Sequence, residues 1–518
     1  MERTIYKHVV VIGMDGMGNF NKDAVTPCMD EIFKEGATTF DGLSMDPTIS
    51  AENWGAMLLG AKPTVHKLTN SIVGRIPYEN SDIPSVFKRI RESFPCSYLA
   101  SCSNWNPINK GIIENGINVD KITADNDELL TPLILETVKK QPLFLFVQFD
   151  DIDGAGHRYG YGTDEHLEQI AKNDKYIGEI FEAYKTAGII DDTLFIVTAD
   201  HGGFRHSHGG YHDTEKYVFF GAAGKGVKKS RVEGYQTRDI AAVVLYALGL
   251  EVPDCDERGF SSLVPEGVFP ELTATKRAMP EPKYIENRET PAPCSENGIF
   301  SYIAKEKFEL CMFTDNELTD STGKHIPLEN GTVKYYTNGI TGSLSEWGLT
   351  GCVTIPEINL NKGNLTFSMW LNIDRSLTDS ACIFASRALG DGQSVTGISL
   401  QMRCNDTMFL LADGDDDFEI VTPFPEDCSE GWVHVLIVLD RENKRLSFYD
   451  NFELVNHYDI EDRYLGEICN LPFTIGDNSL KNYNTEKFPC IFRMDDFFMF
   501  NTALTELEIA ELKKYYKM

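Results

Sequence analysis

Between Asp200 and His212 the chain reads Asp-His-Gly-Gly-Phe-Arg-His-Ser-His-Gly-Gly-Tyr-His, one acidic residue and four imidazoles punctuated by glycines. Carboxylate oxygen and imidazole nitrogen form the ligand set that borderline metals such as zinc prefer. The competing reading is a merely polar, His-rich loop, and what precedes the stretch weakens it. Leu194-Phe-Ile-Val197 has the texture of a buried parallel strand. In open α/β sheets the C-terminal end of such a strand is where ligands bind. Two further strand-like runs end in the same residue types. Ile12-Gly-Met-Asp15-Gly closes the run Val9–Ile12, and a carboxylate set between glycines there either caps the next helix or reaches a cation. Phe149-Asp-Asp-Ile-Asp153-Gly-Ala-Gly-His157 follows the run Leu143–Val147. With two glycines between Asp153 and His157, a turn is expected to bring both side chains round one ion.

A hydroxyl completes the set. In Asp46-Pro-Thr-Ile-Ser50-Ala-Glu-Asn53-Trp-Gly the segment from Asn53 to Leu59 reads as a helix, with Ser50 at its N-terminus. Such a serine is either a helix cap or a nucleophile, and a nucleophile needs a base or a metal to hold it as an alkoxide. No G-x-S-x-G elbow surrounds it, so a Ser-His-Asp mechanism lacks support. Gly13-x-x-Gly16-x-Gly18 is likewise not the dinucleotide pattern. Clusters of acid and histidine at three strand ends, converging on one sheet edge, suffice for two metal ions with a serine between them.

The elements that must position these groups alternate. Apolar positions Leu167, Ile170, Ile177, Ile180, Phe181 and Tyr184 recur at helical spacing between Glu165 and Ala187, and Arg238–Leu250 reads as a second amphipathic helix. Strands alternating with helices up to about residue 250 imply a three-layer α/β/α domain with a mostly parallel sheet. That domain is expected over 1–265, followed by a Pro-rich, charged strap over 266–297. From 298 to 518 the texture turns all-β: Leu365–Leu371, Trp432–Leu439 and Arg445–Tyr449 are strand runs separated by Gly, Asn and Asp turns, with one closing helix over Thr505–Tyr516. This pattern suits a sandwich or jelly roll.

Bulk composition narrows the classes. At 518 residues the chain exceeds one core. A net charge of −31 argues against a nucleic-acid duplex as partner, and no apolar run reaches the length of a membrane span. The N-terminus enters a strand with no apolar signal core, and the 12 cysteines are scattered singly. The expectation is therefore a cytoplasmic protein with reduced thiols, or a secreted or cell-surface one had a signal been removed.

Residues 5 to 250 resemble the alkaline phosphatase superfamily, in particular the branch of nucleotide pyrophosphatases/phosphodiesterases and type I phosphodiesterases. Four motifs in order carry the resemblance: Gly-Met-Asp-Gly, Pro-Thr-x-Ser-x-x-Asn, Asp-x-x-Gly-His, and Asp-His-Gly-Gly with a following His-Gly-Gly. It implies two zinc ions, with manganese as a substitute. One would be held by Asp15, Ser50, Asp200 and His201, the other by Asp153, His157 and His208, with His212 as substitute for His208. Ser50 takes the nucleophile's place, and Asn53 that of the residue holding a non-bridging phosphoryl oxygen. The implied activity is hydrolysis of a small-molecule phosphate diester through a phosphoseryl intermediate, with a phosphomonoesterase as the nearest alternative. Ser50 is followed by Ala-Glu-Asn-Trp rather than x-Pro-x-Arg, which argues against a sulfatase.

The second half resembles laminin-G-like, concanavalin A-like jelly rolls, through Asp320-Ser-Thr-Gly-Lys, Gly351-Cys-Val-Thr-Ile, Gly431-Trp-Val-His-Val and Phe473-Thr-Ile-Gly-Asp. Such domains often bind glycans, sometimes through calcium, so a glycan-binding protein with a vestigial catalytic domain is the reading of another class. Asp413-Gly-Asp-Asp-Asp417 is a candidate calcium loop, although acidic turns are usually solvated hairpin tips. Trp370 and Trp432 lie in strand patterns and are expected in the core.

Overall fold

A computed structural model describes residues 3–75, 77–78, 83–209, 213–254 and 259–272 of the first half of the chain. In the second half it describes 298–313, 318–330, 333–336, 344–347, 352–356, 358, 360, 363–373, 380–387, 396–403, 406–413, 417–423, 431–460, 472–476 and 492–517. The chain divides into two compact units, Met1–Ala278 and Met279–Met518.

The first unit is built on one sheet. Its strands are β1 (His8–Met14), β2 (Ala37–Leu43), β3 (Leu99–Ser103), β4 (Asp120–Thr123), β5 (Phe144–Phe149), β6 (Thr193–Ala199), β7 (Tyr217–Ala223) and β8 (Ser230–Arg231). They lie in the order β4-β3-β5-β1-β6-β7-β2-β8. The pairs from β4 to β6 are parallel, whereas β7 runs antiparallel to both β6 and β2. All residues of β5 and β6 are buried. A strand buried on both faces has cover on both, which explains why these strands read as continuous apolar runs.

The helices are α1 (Pro27–Phe33), α2 (Ser50–Leu59), α3 (Pro63–His66), α4 (Val86–Ser93) and α5 (Pro107–Gly111), then α6 (Asp127–Val138), α7 (Asp151–Tyr159), α8 (Asp164–Thr186), α9 (Asp213–Lys216) and α10 (Ile240–Ala247). In α8 the expected apolar stripe faces the core, and the Thr163 side chain caps it by accepting from the His166 amide. α10 is shorter than the stretch Arg238–Leu250 and is not amphipathic, since Ile240 through Leu245 are all buried. Its polar-looking start, Thr237–Asp239, is instead a separate 3-10 turn closed by a Gln236/Asp239 capping box.

Packing of the first unit continues past residue 265, because Val268 and Phe269 are buried in its core and Glu233 bridges to Glu266. Residues 273–297 of the expected strap lie outside the described residues.

The second unit holds two antiparallel sheets. In one, Leu365–Ile373 pairs with Val433–Asp440 and Phe492–Phe500. In the other, Ser380–Arg387, Thr396–Arg403 and Asp406–Asp413 pair in succession. Phe367 of the first sheet stacks on Phe384 of the second at 4.7 Å between ring centroids, so the sheets pack face to face as a sandwich. Trp370 and Trp432 are buried, as expected of core residues. The closing helix spans Glu506–Tyr515 behind a Thr505/Glu508 capping box. Residues 414–416 of the candidate calcium loop lie outside the described residues. Among the described residues, no helix is long and apolar enough to cross a membrane.

Candidate active site

Strand register places the three acidic clusters side by side. Met14, the last residue of β1, pairs with Phe149 at the end of β5 and with Ala199 at the end of β6. The next residues are therefore level on the sheet's C-terminal edge: Asp15, Asp150 leading into Asp153, and Asp200 with His201. Asp153 and His157 sit on helix α7, not on the expected turn. The helix brings them together anyway, since residues four apart share a helical face, and His157 Nε2 lies 3.2 Å from Asp153 Oδ2. Gly156 allows this helix because a Cβ there would strike the Tyr161 ring at 2.4 Å.

Ser50 opens α2 but does not cap it; Ile49 is the N-cap residue, with no side-chain cap bond. The Ser50 hydroxyl instead points at His201 Nε2, 3.2 Å away. The same nitrogen lies 3.3 Å from Asp200 Oδ2 and 3.5 Å from Asp15 Oδ1. This is not a triad, in which the acid meets Nδ1, because His201 Nδ1 lies 2.8 Å from the Gly202 carbonyl oxygen.

The other two histidines repeat that orientation. His208 Nδ1 is 2.7 Å from the Thr48 carbonyl oxygen, and His157 Nδ1 is 2.8 Å from that of His206. A carbonyl only accepts, so each Nδ1 carries the proton and donates it. In His201 and His208, which burial holds neutral, the Nε2 lone pair then turns inward, the arrangement found around metals, and Nε2 of His157 points the same way. His208 Nε2 faces Asp153 Oδ1 at 3.8 Å, and its ring stacks on His201 at 3.9 Å between centroids. His212 lies outside the described residues.

The Nε2 lone pairs of His201 and His208 therefore face carboxylate oxygens. Asp15 Oδ1 and Asp200 Oδ2 are buried and meet no hydrogen-bond donor. Burial, reinforced by the charges of Asp200 and Asp153, pushes the Asp15 carboxyl well above its ordinary range. Burial and Asp153 do the same to Asp200. Burial, with His208 alongside, lowers the His201 imidazole to about 3, and burial also lowers His208. At half-buried His157 the hydrogen bond to Asp153 raises the imidazole to about 9, so Nε2 there holds a proton toward the carboxylate, and a bound cation would take that proton's place. Buried acceptors without donors are costly unless a cation joins them. The donor set is thus one that fits metal ions. Ligand atoms of Asp153, His157 and His208 lie within 4.8 Å of one another, as do those of Asp15, Asp153 and His201. Asp153 is common to both groups.

Asn53 is placed differently from the expectation. It is fully buried; its Nδ2 donates to the carbonyls of Met45, Pro47 and Ile49, and its Oδ1 accepts from the Met45 amide and Thr237 Oγ1. With every donor and acceptor committed, it has nothing left for a phosphoryl oxygen. It ties down the loop that leads into Ser50. An exposed amide beside Ser50 belongs instead to Asn70, whose Oδ1 accepts from the Ala51 amide at 2.9 Å.

Three more residues escaped the sequence reading. Trp54 Nε1 and Gln148 Nε2 donate to Asp15 Oδ2 at 2.9 and 3.0 Å, and the Tyr161 hydroxyl donates to Asp153 Oδ1. Gln148 did carry a signal, as the one polar residue in the buried run Phe144–Phe149. Asn70 and Tyr161 carried none, because their partners are set by the fold.

Comparison with known proteins matches residues 90–218 to the family model "Type I phosphodiesterase / nucleotide pyrophosphatase". Residues 348–510 match "Concanavalin A-like lectin/glucanases superfamily". Among curated proteins nothing matches. Solved structures similar to this chain include the binding domain of botulinum neurotoxin DC in complex with rat synaptotagmin II, at 17% identity over 41% of this chain and 52% of that one, with a TM-score of 0.33. The binding domain of Paraclostridial Mosquitocidal Protein 1 matches at 16% identity over 41% and 53%, with a TM-score of 0.34. The chain thus spans about half the length of these structures. The matched segments carry Asp153, His157, Asp200, His201 and His208 in the first unit and most strands of the two antiparallel sheets in the second. The chain therefore joins a domain that matches the type I phosphodiesterase/nucleotide pyrophosphatase family to one that matches the concanavalin A-like superfamily.

Proposed function

We propose that the first domain is a two-zinc phosphodiesterase that works through a phosphoseryl intermediate. The observation that carries this reading is the inward ring of acceptors: three imidazoles locked by Nδ1 onto carbonyls, with His201 Nε2 aimed at donorless carboxylate oxygens and at Ser50. Asp15, Ser50, Asp200 and His201 would hold one ion. Asp153, His157 and His208 would hold the other. Bound zinc supplies the positive charge that turns a coordinated hydroxyl into a nucleophile and offsets phosphoryl charge.

Ser50 Oγ attacks phosphorus in line as the first ester oxygen leaves, and hydrolysis of the seryl ester then restores the hydroxyl. The N-terminus of α2 presents its positive end to the phosphoryl oxygens. Asn53 fixes the approach of the Ser50 loop, and Asn70 brings a carboxamide to the side of the nucleophile where the charge develops. Trp54 and Gln148 hold Asp15 from behind, as outer partners of a ligand do.

The test combines metal analysis by mass spectrometry with assays on bis-p-nitrophenyl phosphate and p-nitrophenyl phosphate. About two zinc ions per chain and faster diester cleavage are expected. Faster monoester cleavage would make the enzyme a phosphatase. Absence of metal, and of activity after zinc or manganese is added, would remove the catalytic reading altogether.

Tyr161 offers a finer check. Its ring fills a slot between Gly156 and Gly203, where a Cβ on either glycine would come within 2.4 Å of it, so Tyr161→Phe keeps the packing and removes only the bond to Asp153. Zinc affinity, measured by competition with a chromogenic chelator, should fall about 10- to 100-fold. Unchanged affinity would reduce Tyr161 to a packing role.

A further inference from the structure

Between the loop at Arg75, helix α5 and strand β4 lies a cavity of about 370 Å³ lined by Arg75, Lys110 and Lys121 with Asn106, Asn109 and Thr123. Its described lining carries three cations and no carboxylate. In a chain of net charge −31, such a concentration is not background. Lys121 is held in place: its Nζ donates to the Ile113 carbonyl at 2.7 Å and to Asn115 Oδ1 at 3.2 Å. Arg75 and Lys110 are exposed and make no ion pair among the described residues. Asn109 is buried and donates through Nδ2 to the Ile122 carbonyl and Thr123 Oγ1. Its Oδ1 is left buried without a partner. The cavity thus offers three cations.

Two connections tie it to the nucleophile. Gln148 donates to Asp15 through Nε2 and accepts through Oε1 from the Trp105 amide at 2.8 Å, next to cavity residue Asn106. On the other side Asn70 holds the Ala51 amide, and the same segment runs on to Gly74 and Arg75. Gly74 packs so closely on α5 that a Cβ at Gly111 would lie 2.2 Å from its nitrogen. In the order β4-β3-β5-β1, β3 and β4 are two and three strands from β1. At about 4.8 Å per strand, their ends lie roughly 10 to 15 Å from Asp15.

We propose that this cavity is a subsite for a second phosphate of the substrate, carried on one ester group roughly 10 to 15 Å from the phosphorus attacked at Ser50. The proposal rests on the catalytic reading above and names its substrate class: phosphodiesters with an ester group that itself ends in phosphate. A guanidinium fork and two ammonium groups suit a group with several acceptor oxygens.

The test is calorimetric, on the zinc-loaded full chain, with a long-chain alkane bisphosphonate and with methylphosphonate, neither of which can be hydrolysed. The bisphosphonate should bind at least about tenfold tighter. Arg75→Ala combined with Lys110→Ala should erase that gain and leave methylphosphonate affinity and bis-p-nitrophenyl phosphate turnover unchanged. Equal binding of the two probes by the wild type, or a gain that survives in the double variant, overturns the subsite. A gain that depends on Arg75 and Lys110 in a protein that cleaves no diester would support the subsite and refute the catalytic reading. Diester cleavage without any gain would do the reverse.

Discussion

Ser50→Ala is expected to lower kcat for bis-p-nitrophenyl phosphate by about 10³-fold or more, the scale on which loss of a nucleophile acts. The fold should be untouched. Ser50 makes no cap bond to α2, its hydroxyl meets only His201 among the described residues, and alanine is the better helix former. The stability change should therefore stay within about 1 kcal/mol. Turnover, melting temperature and zinc content, read on one preparation, separate the cases. A variant that keeps a tenth or more of wild-type kcat would show that water attacks phosphorus directly, and the phosphoseryl intermediate would be abandoned.

The second large effect is expected at Asp153. Its two oxygens serve different neighbours: Oδ2 faces His157 at 3.2 Å, and Oδ1 takes the Tyr161 hydroxyl and faces His208 at 3.8 Å. It also belongs to both groups of potential ligands. Asp153→Ala should therefore cost more than the roughly 100-fold loss of metal affinity that follows from removing an outer partner. At least one zinc per chain should be lost, and diester hydrolysis should fall below detection. Asp30→Ala, an exposed carboxylate on α1, is the control and should change neither. Two tightly bound zinc ions in the Asp153 variant would refute the ligand assignment.

Much of the site was legible because buried parallel strands are continuous apolar runs, and their ligands follow within a few residues. Asp15, Asp153, Asp200 and His201 could be placed at strand ends before any coordinates. The local shape was less legible. Two glycines between Asp153 and His157 suggested a turn, yet Gly156 is there to admit the Tyr161 ring, and the segment is helical. Asn53 fits a family motif by position, but its partners at Met45, Pro47, Ile49 and Thr237 commit it to structure. Nothing in a linear pattern reveals which amides a folded loop will consume.

By itself, then, the sequence determined the kind of chemistry: its residue types, their order along the chain, and the strand ends that bear them, all of which are local properties of hydrophobic patterning. The tertiary structure alone decided which nitrogen each histidine turns inward, which carboxylate oxygens remain without donors, that Asn70 rather than Asn53 brings an exposed amide beside Ser50, and where Arg75, Lys110 and Lys121 gather. Those are outcomes of contact between distant segments. Ser50 meets His201 across 151 residues and His208 meets Thr48 across 160, and such pairings exist only once the sheet has brought its edges into register.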